Sequence, residues 1–205
     1  MTSAMAVLLT DEQVHDVRER IRVVAERHIA RKGPSGVSMR AIATEMGWSA
    51  ASLYRYYPAK TDLLTATRTA AYDRFSDCIE AASRGAADLW ERSRAIGDAY
   101  AAFAFREPAA YQLIFAFGQD EGENTPELRQ AMTRSRQLLT GYVREMVAEG
   151  LLEGDADLIA HAYWASLHGL IVLRMAGKLD DDATFDRLRL EAARIVTRGA
   201  RPRRA

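Results

Sequence analysis

The sequence predicts an all-α protein, with an N-terminal three-helix domain followed by a bundle of about six further helices. Three observations carry this reading. Apolar residues recur at three- and four-residue spacing along nearly the whole chain. No segment alternates with period two while also showing β-branched enrichment and hairpin turns. Glycines and prolines fall between the periodic segments, where helices stop.

The first helix spans Asp11 to Lys32, with Val14, Val17, Ile21, Val24, Ala25 and His28 at helical spacing, and Gly33-Pro34 ends it. Ser38 suits the N-cap of a second helix that carries Ala41, Ile42, Glu45 and Met46. Gly47 turns the chain, and Ser49 caps a third helix that reaches Tyr57 before Pro58. A long fourth helix from Lys60 to about Arg84 keeps Leu63, Leu64, Thr67, Ala71, Phe75 and Ile79 on one side. A fifth runs from Asp88 to Arg106, and Pro108 breaks it. Ala109 to Phe117 reads as a short aromatic helix, and Gly118 to Asn124 as a solvated loop. Thr125-Pro126 has the form of a cap followed by a proline in the first helical position, and this seventh helix ends at Gly150.

Asp155 opens an eighth helix that is apolar on nearly every side up to Gly177, so burial on several sides is expected. Asp182 is expected to cap a ninth, with Phe185, Leu188, Ala192, Ile195 and Val196 recurring. Met1 to Thr10 reads as a frayed arm, and Arg198 to Ala205 as a basic, solubilising tail.

Composition narrows the function classes. The chain has 205 residues, 48% of them hydrophobic, enough for one or two domains with a core. Its 28 basic and 28 acidic residues cancel, so attraction to a polyanion must come from a local patch. One such patch lies between Arg31 and Lys60, where Arg31, Lys32, Arg40, Arg55 and Lys60 are opposed only by Glu45. The single cysteine, Cys78, cannot form an intramolecular disulfide, which fits a reducing cytoplasm. The short apolar run Ala4 to Leu9 lacks the basic start of a signal peptide, and no apolar run reads as long enough to cross a membrane. No nucleophile–base arrangement, phosphate loop or strong metal pattern stands out, so no enzyme and no cofactor are expected. An enzyme hidden in a helical bundle is the alternative.

The segment Ser38 to Lys60 carries the functional signal. Ala43, Gly47 and Leu53 supply the small residue, turn residue and buried anchor of a helix-turn-helix, whose second helix enters the DNA major groove. From Ser38 to Leu64 the chain resembles the TetR family of bacterial repressors. The matching features are MRAIATEMG, the turn Gly47-Trp48-Ser49, and LYRYYPAKTDLL with Leu53, Tyr54, Tyr56, Tyr57, Lys60, Leu63 and Leu64. The C-terminal part is similar to the family's WHG subgroup at Pro108-Ala109-Ala110-Tyr111, at Leu113-Ile114-Phe115, and at Trp164-Ala165-Ser166-Leu167-His168-Gly169-Leu170.

The resemblance implies a DNA-binding domain over residues 11–58 and a ligand and dimer domain over residues 60–199. On the third helix Ser49, Ala50, Ala51, Tyr54 and Arg55 face outward, while Leu53 packs inward against Ile42 and Met46. Ala50 and Ala51 offer only methyl groups, for example to thymine, so base reading falls to Arg40, Tyr54 and Arg55. Arg40 matches a family position that reaches a base. Ser38, Ser52, Tyr56 and Lys60 suit phosphate contacts, and Tyr57 suits the core.

A homodimer presenting two such modules implies a palindromic double-stranded DNA operator. The eighth and ninth helices would form the interface through Ala162, Ser166, Gly169, Leu173, Leu188 and Ile195. A small, largely apolar effector would sit among the aromatics of the bundle and release the DNA. Tyr100, Phe103, Tyr111, Phe115, Arg134, Trp164 and His168 are its candidate contacts, with Gln112 and Gln137 as further polar options. Asp157, His161 and His168 fall on one helical face, but buried, hydrogen-bonded histidines fit better than a metal site. Control by a protein partner in place of a small molecule, and activation in place of repression, stay open.

Overall fold

The structure is a computed structural model, and it describes residues 10–115 and 125–202. The described residues hold nine α-helices and no strand. In order these are α1 (Asp11–Lys32), α2 (Met39–Glu45), α3 (Ala50–Tyr54), α4 (Lys60–Ser83), α5 (Leu89–Arg106), α6 (Pro108–Phe115), α7 (Pro126–Ala148), α8 (Ala156–Met175) and α9 (Asp182–Gly199). Phe117, the loop 118–124, the arm before Thr10 and the end of the basic tail lie outside the described residues.

Two compact units divide the chain, one comprising residues up to Ala71 together with Pro108–Arg129, the other Tyr72–Glu107 with the rest from Gln130. The first contains α1, α2, α3, α6 and the start of α4. Its core joins Ile21, Ala25 and Ile29 of α1 to Ile42 and Ala43 of α2, Leu53 of α3, Leu63 of α4 and Leu113 of α6. Caps fix the helix starts, at Ser38 and Ser49 as the sequence suggested and, against expectation, at Thr10, which reads in the sequence as part of the arm. Thr10 and Gln13 form a reciprocal capping box, Ser38 accepts from the Ala41 amide, and Ser49 accepts from the Ser52 amide.

α3 is shorter than the sequence suggested, stopping at Tyr54. Two constraints end it. Pro58 disfavours helical geometry at Tyr57. The Tyr56 carbonyl turns out to meet Arg18 of α1, whose Nε and Nη2 donate to it at 3.3 and 3.1 Å.

The second unit contains the end of α4, α5, most of α7, α8 and α9. Phe75 of α4 meets Tyr100 and Phe103 of α5 edge-on, with centroids 5.3 and 5.1 Å apart, and all three are buried. α8 packs along α9 and touches α5. Asp181, rather than the expected Asp182, caps α9, its side chain accepting from the Thr184 amide at 2.6 Å. The run of three aspartates left that choice ambiguous in the sequence.

Two expectations for α8 require correction. Within the chain only Ile159, Ala160 and Ile171 of this helix are buried, and Leu158 is 70% exposed with Val172 and Leu173 also outside. α9 continues the uncovered surface with Leu188 and with Ile195, which is 66% exposed. The helix is also, at 20 residues, long and apolar enough to cross a bilayer by length and composition, contrary to the sequence reading. That property alone does not make it a span. Its ends carry ion pairs, Asp157 with Arg144 and Arg174 with Asp182, and one face packs along α9.

Candidate functional site

The helix-turn-helix is built around one left-handed residue. Gly47 sits at φ +71°, and the Trp48 amide reaches back to the Ala43 carbonyl at 2.8 Å, closing α2 with a Schellman-type bond. Any other side chain at Gly47 would be strained there. The turn delivers Ser49 as N-cap of α3, and Leu53, fully buried, anchors α3 beneath Ile42 and Met46. Trp48 and Tyr56 pack ring against ring with centroids 5.8 Å apart, closing the end of the turn.

Of the residues singled out in the sequence, Arg40, Ala51, Tyr54 and Arg55 are exposed, Tyr54 to 46%. Ala50, Ser52 and Tyr56 are half-buried. Neither Arg40 nor Arg55 has an ion-pair partner among the described residues, so both guanidinium groups are available. The serines are partly committed. The Ser49 and Ser52 hydroxyls lie 2.9 Å apart, and Ser38 caps α2. Lys60 Nζ donates to the Ser35 carbonyl at 3.0 Å, tying the start of α4 to the loop before α2.

Glu45, the only acid in the basic segment, is not a free negative charge. Arg27 donates to its Oε1 at 2.8 Å, and Oε2 lies 2.9 Å from His28 Nε2. The Arg27 guanidinium, with help from His28, holds the Glu45 carboxyl below the usual carboxylate range. Arg31, Lys32, Arg40 and Arg55 are therefore exposed without an opposing free carboxylate of their own segment, and Lys60 is half-buried beside them.

Sequence reasoning missed Arg18. Besides gripping the Tyr56 carbonyl, its guanidinium carbon stands 5.5 Å from the centroid of the Tyr57 ring. Burial raises the pKa of the Tyr57 hydroxyl. No local pattern could reveal a partner 38 residues away.

The candidate ligand residues separate into groups. In the second unit Trp164 Nε1 donates to the Tyr100 hydroxyl at 3.0 Å, and His168 Nδ1 lies 3.2 Å from the same oxygen. Desolvation lowers the His168 pKa, which favours a neutral ring with Nδ1 accepting from Tyr100. Phe103 lies in the core beside Phe75. Arg134 is bound to Asp77 and Glu80 at 2.8 and 2.6 Å. Tyr111 and Phe115 belong to the first unit, where their rings pack 4.7 Å apart. The three residues weighed as metal ligands are engaged elsewhere: Asp157 with Arg144, His161 Nδ1 with the Asp157 carbonyl, and His168 with Tyr100.

A cavity of about 190 Å³ opens within the second unit, walled by α5, α7, α8 and α9. Ile96, Tyr100, Leu139, Tyr142, Trp164 and Leu167 give it an apolar, aromatic body, and Gly97 leaves space on the α5 side. Tyr100 and Trp164 are the sequence candidates on its wall; Phe103, Arg134 and His168 are not.

Comparison with known proteins agrees with this architecture. Residues 21–67 match the family model described as bacterial regulatory proteins, tetR family. Residues 93–192 match the tetracyclin repressor-like C-terminal domain, so the two matches cover more than two thirds of the chain. An uncharacterised HTH-type transcriptional regulator of Mycobacterium tuberculosis is 29% identical over 184 residues, spanning 86% of this chain and 79% of that protein. An HTH-type transcriptional regulator of Mycobacterium bovis is 30% identical over 149 residues, 70% of this chain and 62% of its own length. A solved structure of a protein of unknown function from Rhodococcus sp. RHA1 superposes with a TM-score of 0.80 at 25% identity, covering 97% of this chain and 100% of that one. The Gly47 turn and its anchored α3 lie inside the first matched segment and the α5–α9 bundle overlaps the second, and the chain accordingly belongs to the TetR family as a DNA-binding transcriptional regulator of the helix-turn-helix type.

Proposed function

We propose that the chain works in the cytoplasm as a homodimeric repressor that grips a two-fold-symmetric operator through α2 and α3 and lets go when a small, largely apolar effector fills the bundle cavity. The observation that carries the DNA half is the pair of exposed cations without an ion-pair partner among the described residues, Arg40 and Arg55, beside Tyr54 on the helix-turn-helix, with the local acid Glu45 paired to Arg27 and His28. Arg40 would read a base edge, Tyr54 and Arg55 would assist, Ala50 and Ala51 would offer methyl contacts, and Ser38, Ser49, Ser52, Tyr56 and Lys60 would meet phosphates. The uncovered apolar stripe of Leu158, Ala162, Gly169, Val172 and Leu173 on α8, with Leu188 and Ile195 on α9, supports a second copy as its cover.

For the effector half, the cavity wall reaches α4 through Tyr100, whose ring packs on Phe75. α4 starts at Lys60, directly after the DNA-binding helices. An effector that prefers the arrangement of α4 unsuited to DNA shifts the population, with a coupling of about 1–3 kcal/mol. The test is a mobility shift of the purified protein on DNA upstream of its own gene, at stated salt and with competitor DNA. A specific complex on a near-palindromic segment is expected. A folded dimer that binds specific and competitor DNA equally well would refute the reading.

A further inference from the structure

We propose that the bundle cavity takes a small organic monoanion with one aromatic or branched apolar body, its acid group held by Arg94. This rests on the ligand-responsive reading above and names the chemistry of its ligand. The volume, about 190 Å³, is slightly above the roughly 150 Å³ of an apolar cavity able to hold benzene. One substituted ring therefore fits within it. The wall of Ile96, Leu139, Trp164 and Leu167 suits such a body.

Charge decides the other end. The charged residues on the lining are Arg94, Asp98 and Arg189. Arg189 is committed to both Asp98 and Asp186 through its guanidinium, a group with one net negative charge and no free cation. Arg94 is exposed and has no hydrogen bond or ion pair among the described residues. Arg94 is thus the lining cation whose guanidinium is left unengaged among the described residues, and a guanidinium can hold a carboxylate by two parallel hydrogen bonds. Gly97 lies three residues after Arg94 on α5, on the same face. Its missing Cβ matters to the space: a methyl there would stand 3.9 Å from Leu167 Cδ2, so alanine is tolerated while a branched side chain would take the ligand's room.

The experiment is calorimetric titration of the full-length protein with three probes sharing one body: phenylacetate, phenylacetamide and phenethylamine. Phenylacetate is expected to bind about three- to tenfold more tightly than the amide at low salt, with the amine weakest, and added salt should erode the preference for the acid. Arg94→Gln, at an exposed position outside the core, should abolish the preference for the acid over the amide. Gly97→Val should lose all three probes; if that variant does not fold, Ala193→Leu narrows the same cavity from α9. Equal binding of acid and amide, or a preference that survives Arg94→Gln, would overturn the charge assignment. Failure of every probe to bind the folded protein would overturn the site. Operator binding measured on the same samples keeps these outcomes separate, because loss of specific DNA binding would strike the regulator reading and not the ligand chemistry.

Discussion

At the scale of single residues, the charges divide into those the fold consumes and those it leaves available. Arg18, Arg27 and Arg134 are consumed, by a carbonyl, a carboxylate and a carboxylate pair respectively. Arg40 stays available on the helix-turn-helix surface. Arg40→Ala should therefore weaken operator binding by about 1–3 kcal/mol and relax preference at one base pair, as read by binding to single-base operator variants. A uniform loss across all sequences would make Arg40 a phosphate contact instead. His168 makes a second residue-scale prediction. Its pKa is lowered from 6.5 in the fold by desolvation, so as pH falls below that value the unfolded chain takes up a proton that the folded ring resists. Stability should fall as pH drops from about 6.5 toward the depressed folded pKa, and the slope should flatten in His168→Gln. Parallel pH profiles for the two proteins in chemical denaturation would contradict this. Ser49, Ala51, Tyr54 and Arg55 could be named as outward from helical spacing, while Ala50 of the same set is half-buried. Whether an aromatic belonged to the cavity or to the core could not be read this way, because Tyr100 and Phe103 carry the same periodic signal and differ only in what the neighbouring helices bring to them.

At the scale of elements, caps and breakers made most helix boundaries legible. Thr10, Ser38, Ser49, Asp88 and Asp155 all cap where the sequence put a helix start. The exceptions have physical reasons. α3 ends early because Arg18, remote in sequence, takes the Tyr56 carbonyl and Pro58 follows. α9 starts one residue before expectation because two adjacent aspartates compete for one cap. The Arg18 clamp can be tested. Arg18→Ala removes a charged donor to a largely exposed carbonyl and should cost about 1 kcal/mol of stability. It should also weaken DNA binding by loosening the end of α3, measured as a lower melting temperature together with a reduced operator affinity. Unchanged melting and unchanged DNA binding would show that the clamp is incidental. Leu53→Ala is the harsher element-scale change. It empties a fully buried anchor, so about 2–5 kcal/mol is expected, read by chemical denaturation.

At the scale of the whole molecule, the apolar surface of α8 and α9 is the main departure from what periodicity suggested. A helix apolar all round was expected to be enclosed, yet Leu158, Val172 and Leu173 lie outside within one chain. Periodicity reports that a surface is apolar and not which molecule covers it. If a second copy provides the cover, Ile195→Asp should place a charge in the interface and convert the dimer to monomer, seen as a halved mass in sedimentation. A variant that keeps the dimer mass would move the interface elsewhere. In the proposed dimer, two copies of the α2–α3 unit hold one symmetric DNA site. Selection of bound fragments from genomic DNA, followed by footprinting of the enriched sequence, tests this arrangement most directly. The expected result is two protected half-sites related by a two-fold axis, with centres about one helical turn apart or a multiple of it, and both weakened together when Arg40 is replaced. A single asymmetric footprint, or no enriched sequence from a folded dimeric protein, would contradict it.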